Sequence, residues 1–276
     1  MIEEDFELIN KKYREIWKKY LKKENPEAIK DMHLNRWPLQ YPKDQMKKKA
    51  ILFISFNPAY DTDRSNFEID QKDYKNPESV LDEDKTLNEA LDIERKALSN
   101  YKYYSLFPKI AEDVLGDETK WSHLDLLPLR ESSQDKLKES LCLNNENLFL
   151  LSNRNYGGFI KELLDVFCDA VYLLDPLIIV VVNGYISKSI ISITGSEYSS
   201  IGIQGSQSGP NEMCFNVKID SKNFKKTGAR TMTIRGKEYP LLLTSMITGQ
   251  HALDLGSRER LVWHLQMIKP YLINNG

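Results

Sequence analysis

One stretch constrains this chain more than any other. The continuous apolar run Ala50-Ile-Leu-Phe-Ile-Ser-Phe56 is preceded by Lys47-Lys48-Lys49 and broken by Asn57-Pro58. A run of this length, bounded by charge on one side and a polar turn on the other, reads as a strand buried on both faces. Pro58 has no N–H to give to a ladder, so the strand stops near Asn57. Asn57, Tyr60 and Asp61 then follow its carboxyl end. In an open parallel sheet that end faces the ligand crevice.

Three further runs resemble the first in kind. Trp121 to Arg130 reads as a second strand ended by Pro128, Asp175 to Gly184 as a third, and Leu241 to Ser245 as a fourth. Helical periodicity lies between and around them. Phe6, Ile9, Tyr13, Ile16 and Tyr20 mark an amphipathic first helix closed by Asn25-Pro26, and a short helix follows over Pro26 to Met32. Leu87 to Leu98, Tyr101 to Val114, Phe159 to Leu174 and a segment from about Ile186 carry the same spacing. A last helix starts from Ser257 as N-cap and ends at Pro270. Cys214 to Ile219 and Ala229 to Ile234 read as a two-stranded excursion. Strands alternating with helices define the α/β class: a three-layer α/β/α sandwich around a central, mostly parallel four-stranded sheet. Residues 1–49 are read as a helical extension packed on the core, and residues 50–276 as one domain with an inserted hairpin near 196–238.

Composition excludes several classes. A formal charge of −2 over 276 residues is not that of a general polyanion binder. The charge is uneven, with an acidic stretch from Asp61 to Glu94 and a basic one from Lys218 to Lys237. Three separated cysteines give neither a disulfide framework nor a zinc pattern. The first 24 residues are too charged for a signal peptide, and the apolar run Leu177 to Val182 is too short to span a bilayer. A cytoplasmic protein without membrane contact is therefore expected. There is no HExxH, no GxSxG elbow, no Walker loop and no GxGxxG after the first strand. Neither a metal nor a cofactor is expected.

The strand ends gather Asn57, Tyr60, Asp61, His123, Asp125, His251 and Asp254 as crevice candidates. Under strand alternation His123, Asp125 and Leu127 share one face. Asn57 can orient a water through its side-chain carbonyl. His251 can donate to a developing anion. Phe56 or Tyr60 can stack on a planar ligand or an extruded base. Asp61, His123 or Asp125 can equally serve as general acid or base toward a small molecule. His33, Arg36 and Trp37 read as an aromatic plug beside the first strand, and Gly157-Gly158 as a loop where backbone can approach an anion.

The segment Ser55-Phe56-Asn57-Pro58-Ala59 resembles the first motif of the uracil-DNA glycosylase superfamily, whose mismatch-specific and single-strand-selective branches carry Gly-x-Asn-Pro-Gly. Both flanking glycines are replaced here. His123-Leu-Asp-Leu-Leu-Pro-Leu resembles the family's second-strand segment, with Asp125 where the family places a base-recognising Asn. His251-Ala-Leu-Asp-Leu-Gly-Ser257 has the place and length of the family's His-Pro-Ser loop, without its Pro and Ser. The resemblance implies a sheet order of 2-1-3-4. It also implies catalytic roles for Asn57 and His251, base contacts from Phe56, Tyr60, His123 and Asp125, and a partner that is DNA or a nucleotide. Arg258 and Arg260 at the last helix, with Lys225 and Lys226, would hold phosphates. Three readings stay open: a DNA N-glycosylase, a non-catalytic nucleotide or nucleic-acid binding protein of the same fold, and an unrelated small-molecule hydrolase.

Overall fold

The computed structural model describes residues 2–58, 84–131, 133–141, 143, 156–193, 200–201, 217–220, 227, 229–247 and 254–273. Helix α1 (Ile2–Lys23) and the short α2 (Pro26–Asp31) lead to the first strand, β1 (Ile51–Ser55). Asn25 starts α2 by accepting the Ala28 N–H at 2.9 Å. Next come α3 (Asp84–Asn100), a 3-10 turn over Lys102–Tyr104, α4 (Phe107–Leu115) and β2 (Trp121–Asp125). Helix α4 opens with Pro108 in its first turn and closes on Gly116 at φ 77°, the usual asymmetry of helix ends. The single helix expected over Tyr101 to Val114 is thus a turn and a shorter helix. Helix α5 (Gln134–Ser140) and α6 (Gly157–Leu174) precede β3 (Ile178–Val182) and α7 (Gly184–Ile193). Strands β4 (Ser200–Ile201), β5 (Val217–Asp220), β6 (Arg230–Ile234) and β7 (Lys237–Thr244) follow, and α8 (Leu255–Ile273) comes last.

The sheet is of the α/β class and runs β2-β1-β3-β7-β6-β5-β4. The expected four strands in order 2-1-3-4 are corrected to these seven. β2, β1, β3 and β7 are mutually parallel, and β6, β5 and β4 extend the sheet in antiparallel pairing from β7. The excursion therefore joins the sheet. The cause is the turn at Arg235 (φ 51°) and Gly236 (φ 79°), where two left-handed residues fold β6 tightly back onto β7. Pro240 is tolerated because Lys237 to Pro240 pair only with β6, and β3 joins from Leu241 onward.

Strand alternation divides the core. Ile51, Phe53, Ile178, Val180 and Val182 face α4 and α8 through Phe107, Ile110, Val114, Leu261, Leu265 and Ile268. Leu52, Ile54, Phe56, Leu124, Ile179 and Val181 face the opposite way, into a larger cluster with α1 and α6. Helix α8 runs through Pro270 to Ile273 rather than ending at it, and its N-cap is Asp254, not Ser257. The Asp254 carboxylate accepts the Ser257 N–H at 2.7 Å.

The N-terminal segment does more than pack on the core. It covers the edge of β2. The Tyr41 hydroxyl accepts the Asp125 N–H at 3.1 Å and donates to the Asp125 carbonyl at 3.3 Å. Ser122 Oγ accepts the Lys47 N–H at 2.7 Å, and the Leu39 N–H reaches the Pro128 carbonyl at 3.2 Å. Asn10 holds Tyr41 through both its main-chain groups at 2.8 Å. Both main-chain groups of Asp125, which an edge strand would leave to water, are so occupied by Tyr41. Among the described residues, no helix is long and apolar enough to cross a membrane.

Candidate functional site

The carboxyl ends of β1, β2 and β3 open into a pocket of about 190 Å³. β1 supplies Ser55, and Phe56, Asn57 and Pro58 just beyond it. β2 supplies His123 and Asp125, and β3 supplies Val182 and Asn183. Tyr101, Tyr103 and Tyr104 close one side, with Glu131, Gln134 and Met246 at the rest of the wall.

Asn57 is held by the chain that leaves β2. The Leu126 and Leu127 N–H groups bond the Ser55 and Phe56 carbonyls at 2.8 and 2.9 Å, and Glu131 N–H bonds the Pro58 carbonyl at 3.2 Å. The Asn57 amide nitrogen then donates to the carbonyls of Pro58 and Glu131 at 3.0 and 3.1 Å. Only the NH₂ end can satisfy two carbonyls, so the amide orientation is determined, and the side-chain oxygen is the end turned from them.

The Glu131 strut is itself braced from the N-terminal segment. Arg36 donates to the Arg130 carbonyl at 2.6 Å, to Glu131 Oε2 at 2.8 Å and to His33 Nδ1 at 3.1 Å. Burial, then the neighbouring Arg36 guanidinium, lowers the His33 pKa to about 4. His33 is therefore neutral, accepts the Arg36 N–H at Nδ1, and donates from Nε2 to Ser140 Oγ at 2.8 Å. Its 3.6 Å approach to Glu131 is not an ion pair in that state. Trp37 is buried as the plug the sequence suggested, and Arg36 proves to be a structural brace.

On the deep wall, Ser55 Oγ bridges two β2 residues. It donates to Asp125 Oδ1 and lies 3.0 Å from His123 Nε2. Ser55 and Asp125 are opposite in register, which brings all three side chains to one face. His123 stacks against Phe107 at 5.9 Å and meets Tyr103 and Tyr104 edge-on. Enclosure in these rings lowers its pKa to about 3, so it stays neutral. Burial raises the Asp125 carboxyl to about 7, with Glu94 adding to the rise, against the Ser55 hydrogen bond and the Arg130 guanidinium. Arg130 is paired with Glu94 and bonds the Trp37 carbonyl at 3.1 Å. Near neutrality Asp125 is therefore divided between carboxylic acid and carboxylate.

Asn57, His123 and Asp125 thus meet in one pocket. Phe56 reaches it too, but its ring is fully buried on the opposite sheet face, edge-on to Tyr185 at 5.1 Å. It is therefore not placed to stack on a ligand. Arg258, half-buried, and Arg260, exposed, lie in the first turns of α8, and neither lines the pocket. Asp254 is spent as an exposed helix cap. Tyr60, Asp61, His251, Lys225 and Lys226 lie outside the described residues. Within the basic stretch, Arg235 pairs with Asp165 and Asp169 on α6, and Lys237 pairs with Asp175. Gly157-Gly158 opens α6 and packs by the Tyr20 hydroxyl. Sequence reasoning missed the tyrosines, Ser55, Glu131 and Asn183 as site residues. The repeated aromatics of Tyr101 to Tyr104 were the available signal. Asn183 caps α7 by accepting the Tyr185 and Ile186 N–H groups at 3.0 and 3.1 Å. Among the described residues no group of His, Cys, Asp or Glu could hold a metal ion.

Comparison with family descriptions, curated proteins and solved structures found no match for this chain.

Proposed function

We propose that this pocket receives the planar base of a nucleic-acid nucleotide and that Asn57 directs a water at its N-glycosidic bond. That is the activity of a divergent member of the uracil-DNA glycosylase superfamily acting on a damaged base in DNA. The observation that carries the reading is the Asn57 amide. Two main-chain carbonyls take its nitrogen end at the mouth of β1, so its oxygen is a fixed acceptor beside the pocket. A fixed acceptor aligns a water without itself being a base, and such positioning is a large part of hydrolytic catalysis. Asp125, able to donate or accept at neutral pH, supports recognition of a base edge.

A second reading, a nucleotide-binding protein of the same fold without turnover, is favoured by Phe56. Its burial removes the stacking platform that the resemblance implies. The test is release of free uracil from single- and double-stranded oligonucleotides at low salt, wild type against Asn57→Ala. Release by the wild type, lost in the variant, is expected. Absence of release from a folded wild type overturns the uracil-glycosylase reading. Thermal stabilisation by nucleotides would then favour the binding protein.

A further inference from the structure

The pocket has a charge character that hydrolysis of a neutral base does not use. Its described lining carries two carboxyl side chains, Asp125 and Glu131, and three tyrosines. No lysine or arginine is among those lining residues, and His123, the one imidazole there, is held neutral by burial. Arg36 answers Glu131 from outside the pocket at 2.8 Å. Asp125 is faced by His123 on its own strand, by Tyr103 and Tyr104 beside α4, and by Tyr13 and Tyr41 from the N-terminal segment. All four phenols are raised above their ordinary range and stay neutral. Glu94 and Arg130 also act on it but pair with each other. What remains is one buried carboxyl in a lining that includes three tyrosine rings.

We infer that the pocket selects a planar aromatic cation, a nitrogen heterocycle carrying a fixed positive charge such as an N-alkylated base. The tyrosine faces attract a cation through their quadrupoles, most strongly where water is excluded. The Asp125 carboxylate supplies the counter-charge at the end of β2. This inference rests on the reading above only for what happens at the glycosidic bond. There the chemistry agrees. A neutral base departs as an anion and needs a positive group or an acid to receive the charge. A cationic base departs neutral. The water oxygen bonds to C1′, and the C1′–N electron pair moves onto the ring nitrogen and cancels its charge. The proton shed by the water passes to solvent. A lining of carboxyls and tyrosines suits the second departure.

The test is calorimetric titration of the full chain with 1-methylnicotinamide, a permanently cationic ring, and with nicotinamide, its neutral counterpart. At pH 8 the cation is expected to bind at least about tenfold more tightly. Its affinity is expected to fall about tenfold at pH 6, because Asp125 must then lose a proton to bind it. Asp125→Asn is expected to erase both the preference and the pH dependence. Tyr101→Leu, at a half-buried ring that meets Tyr103 and Tyr104 at 6.2 and 6.0 Å, is expected to weaken the cation more than the neutral ring. Thermal unfolding of each variant verifies that it is folded. Equal or tighter binding of nicotinamide, or binding of neither ring by the folded wild type, overturns the inference. Base release is scored separately. Uracil release without cation preference leaves the glycosylase reading and removes this one, and cation preference without release does the reverse.

Discussion

His123 and Asp125 make opposite demands on pH, and separating them tests the electrostatics of the site. In the unfolded chain Asp125 ionises near its ordinary value of 3.8 and His123 near 6.5, whereas in the fold they sit at about 7 and about 3. Between pH 4 and 6.5 the unfolded pair therefore holds one proton, on His123, and the folded pair also holds one, on Asp125. Stability follows the difference in bound protons, so the two contributions cancel across that window. Each substitution removes one side of the balance. The Asp125 carboxyl, raised on folding, supports stability at low pH and loses it as pH rises toward 7. The His123 imidazole, depressed on folding, supports stability above 6.5 and loses it as pH falls toward 3. A tenfold change in proton affinity is worth about 1.4 kcal/mol, so each arm amounts to about 4–5 kcal/mol over its full range. Urea unfolding from pH 4 to 8 should give the following. Relative to wild type, Asp125→Asn becomes progressively more stable as pH rises from 4 to 7. His123→Gln becomes progressively less so as pH rises from 4 to 6.5. A difference curve for Asp125→Asn that stays flat from pH 4 to 7 would refute the reasoning, since Asp125 would then ionise normally despite its burial.

Two further substitutions probe the scaffold around the site. Tyr41→Phe removes the one hydroxyl that serves both main-chain groups of Asp125, and should cost about 1–3 kcal/mol in denaturant unfolding with little change in slope. Arg36→Ala leaves Glu131 buried without its guanidinium and should cost on the order of 3 kcal/mol. Arg36→Lys should recover part of this, because a single nitrogen, Nη1, reaches both Glu131 and the Arg130 carbonyl, and an ammonium offers donors enough for both but on a differently shaped, more strongly hydrated head.

Three of the parallel strands, β1, β3 and β7, were legible because each carries an apolar run that stops at a polar break. Asn57-Pro58 and Asn183-Gly184 are such breaks, and Asn57, Pro58 and Asn183 line the pocket. Polar residues on a buried strand stand out, so His123 and Asp125 could be paired from strand alternation alone. The antiparallel additions were harder to place. A short strand such as β4 has little periodicity to read, and only spatial pairing joins it to the sheet. The tyrosine wall was hidden for a different reason. Tyr103 keeps helical spacing with Phe107, Ile110 and Val114, so the segment reads as one helix with a buried face, whereas Lys102–Tyr104 form a 3-10 turn and all three tyrosines line the pocket. Arg36 and Glu131 lie 95 positions apart, and no local pattern announces a contact of that kind.

The central position of β1 also has a consequence for synthesis. Its neighbours, β2 and β3, both come later in the chain, and the last of them ends at Val182. At roughly 5–20 residues per second, a strand made of Ile51-Leu-Phe-Ile-Ser55 has left the ribosome for on the order of ten seconds before it can be flanked on both sides. In the first part of that interval, before β2 has been made, its cover is what precedes it. Helix α1 and residues 39–47 are already made, and their aromatic residues Phe6, Tyr13, Trp17 and Tyr41 belong to the same cluster as Leu52 and Ile54. The N-terminal segment is thus positioned to act as an early escort for the strand on which the sheet is later assembled.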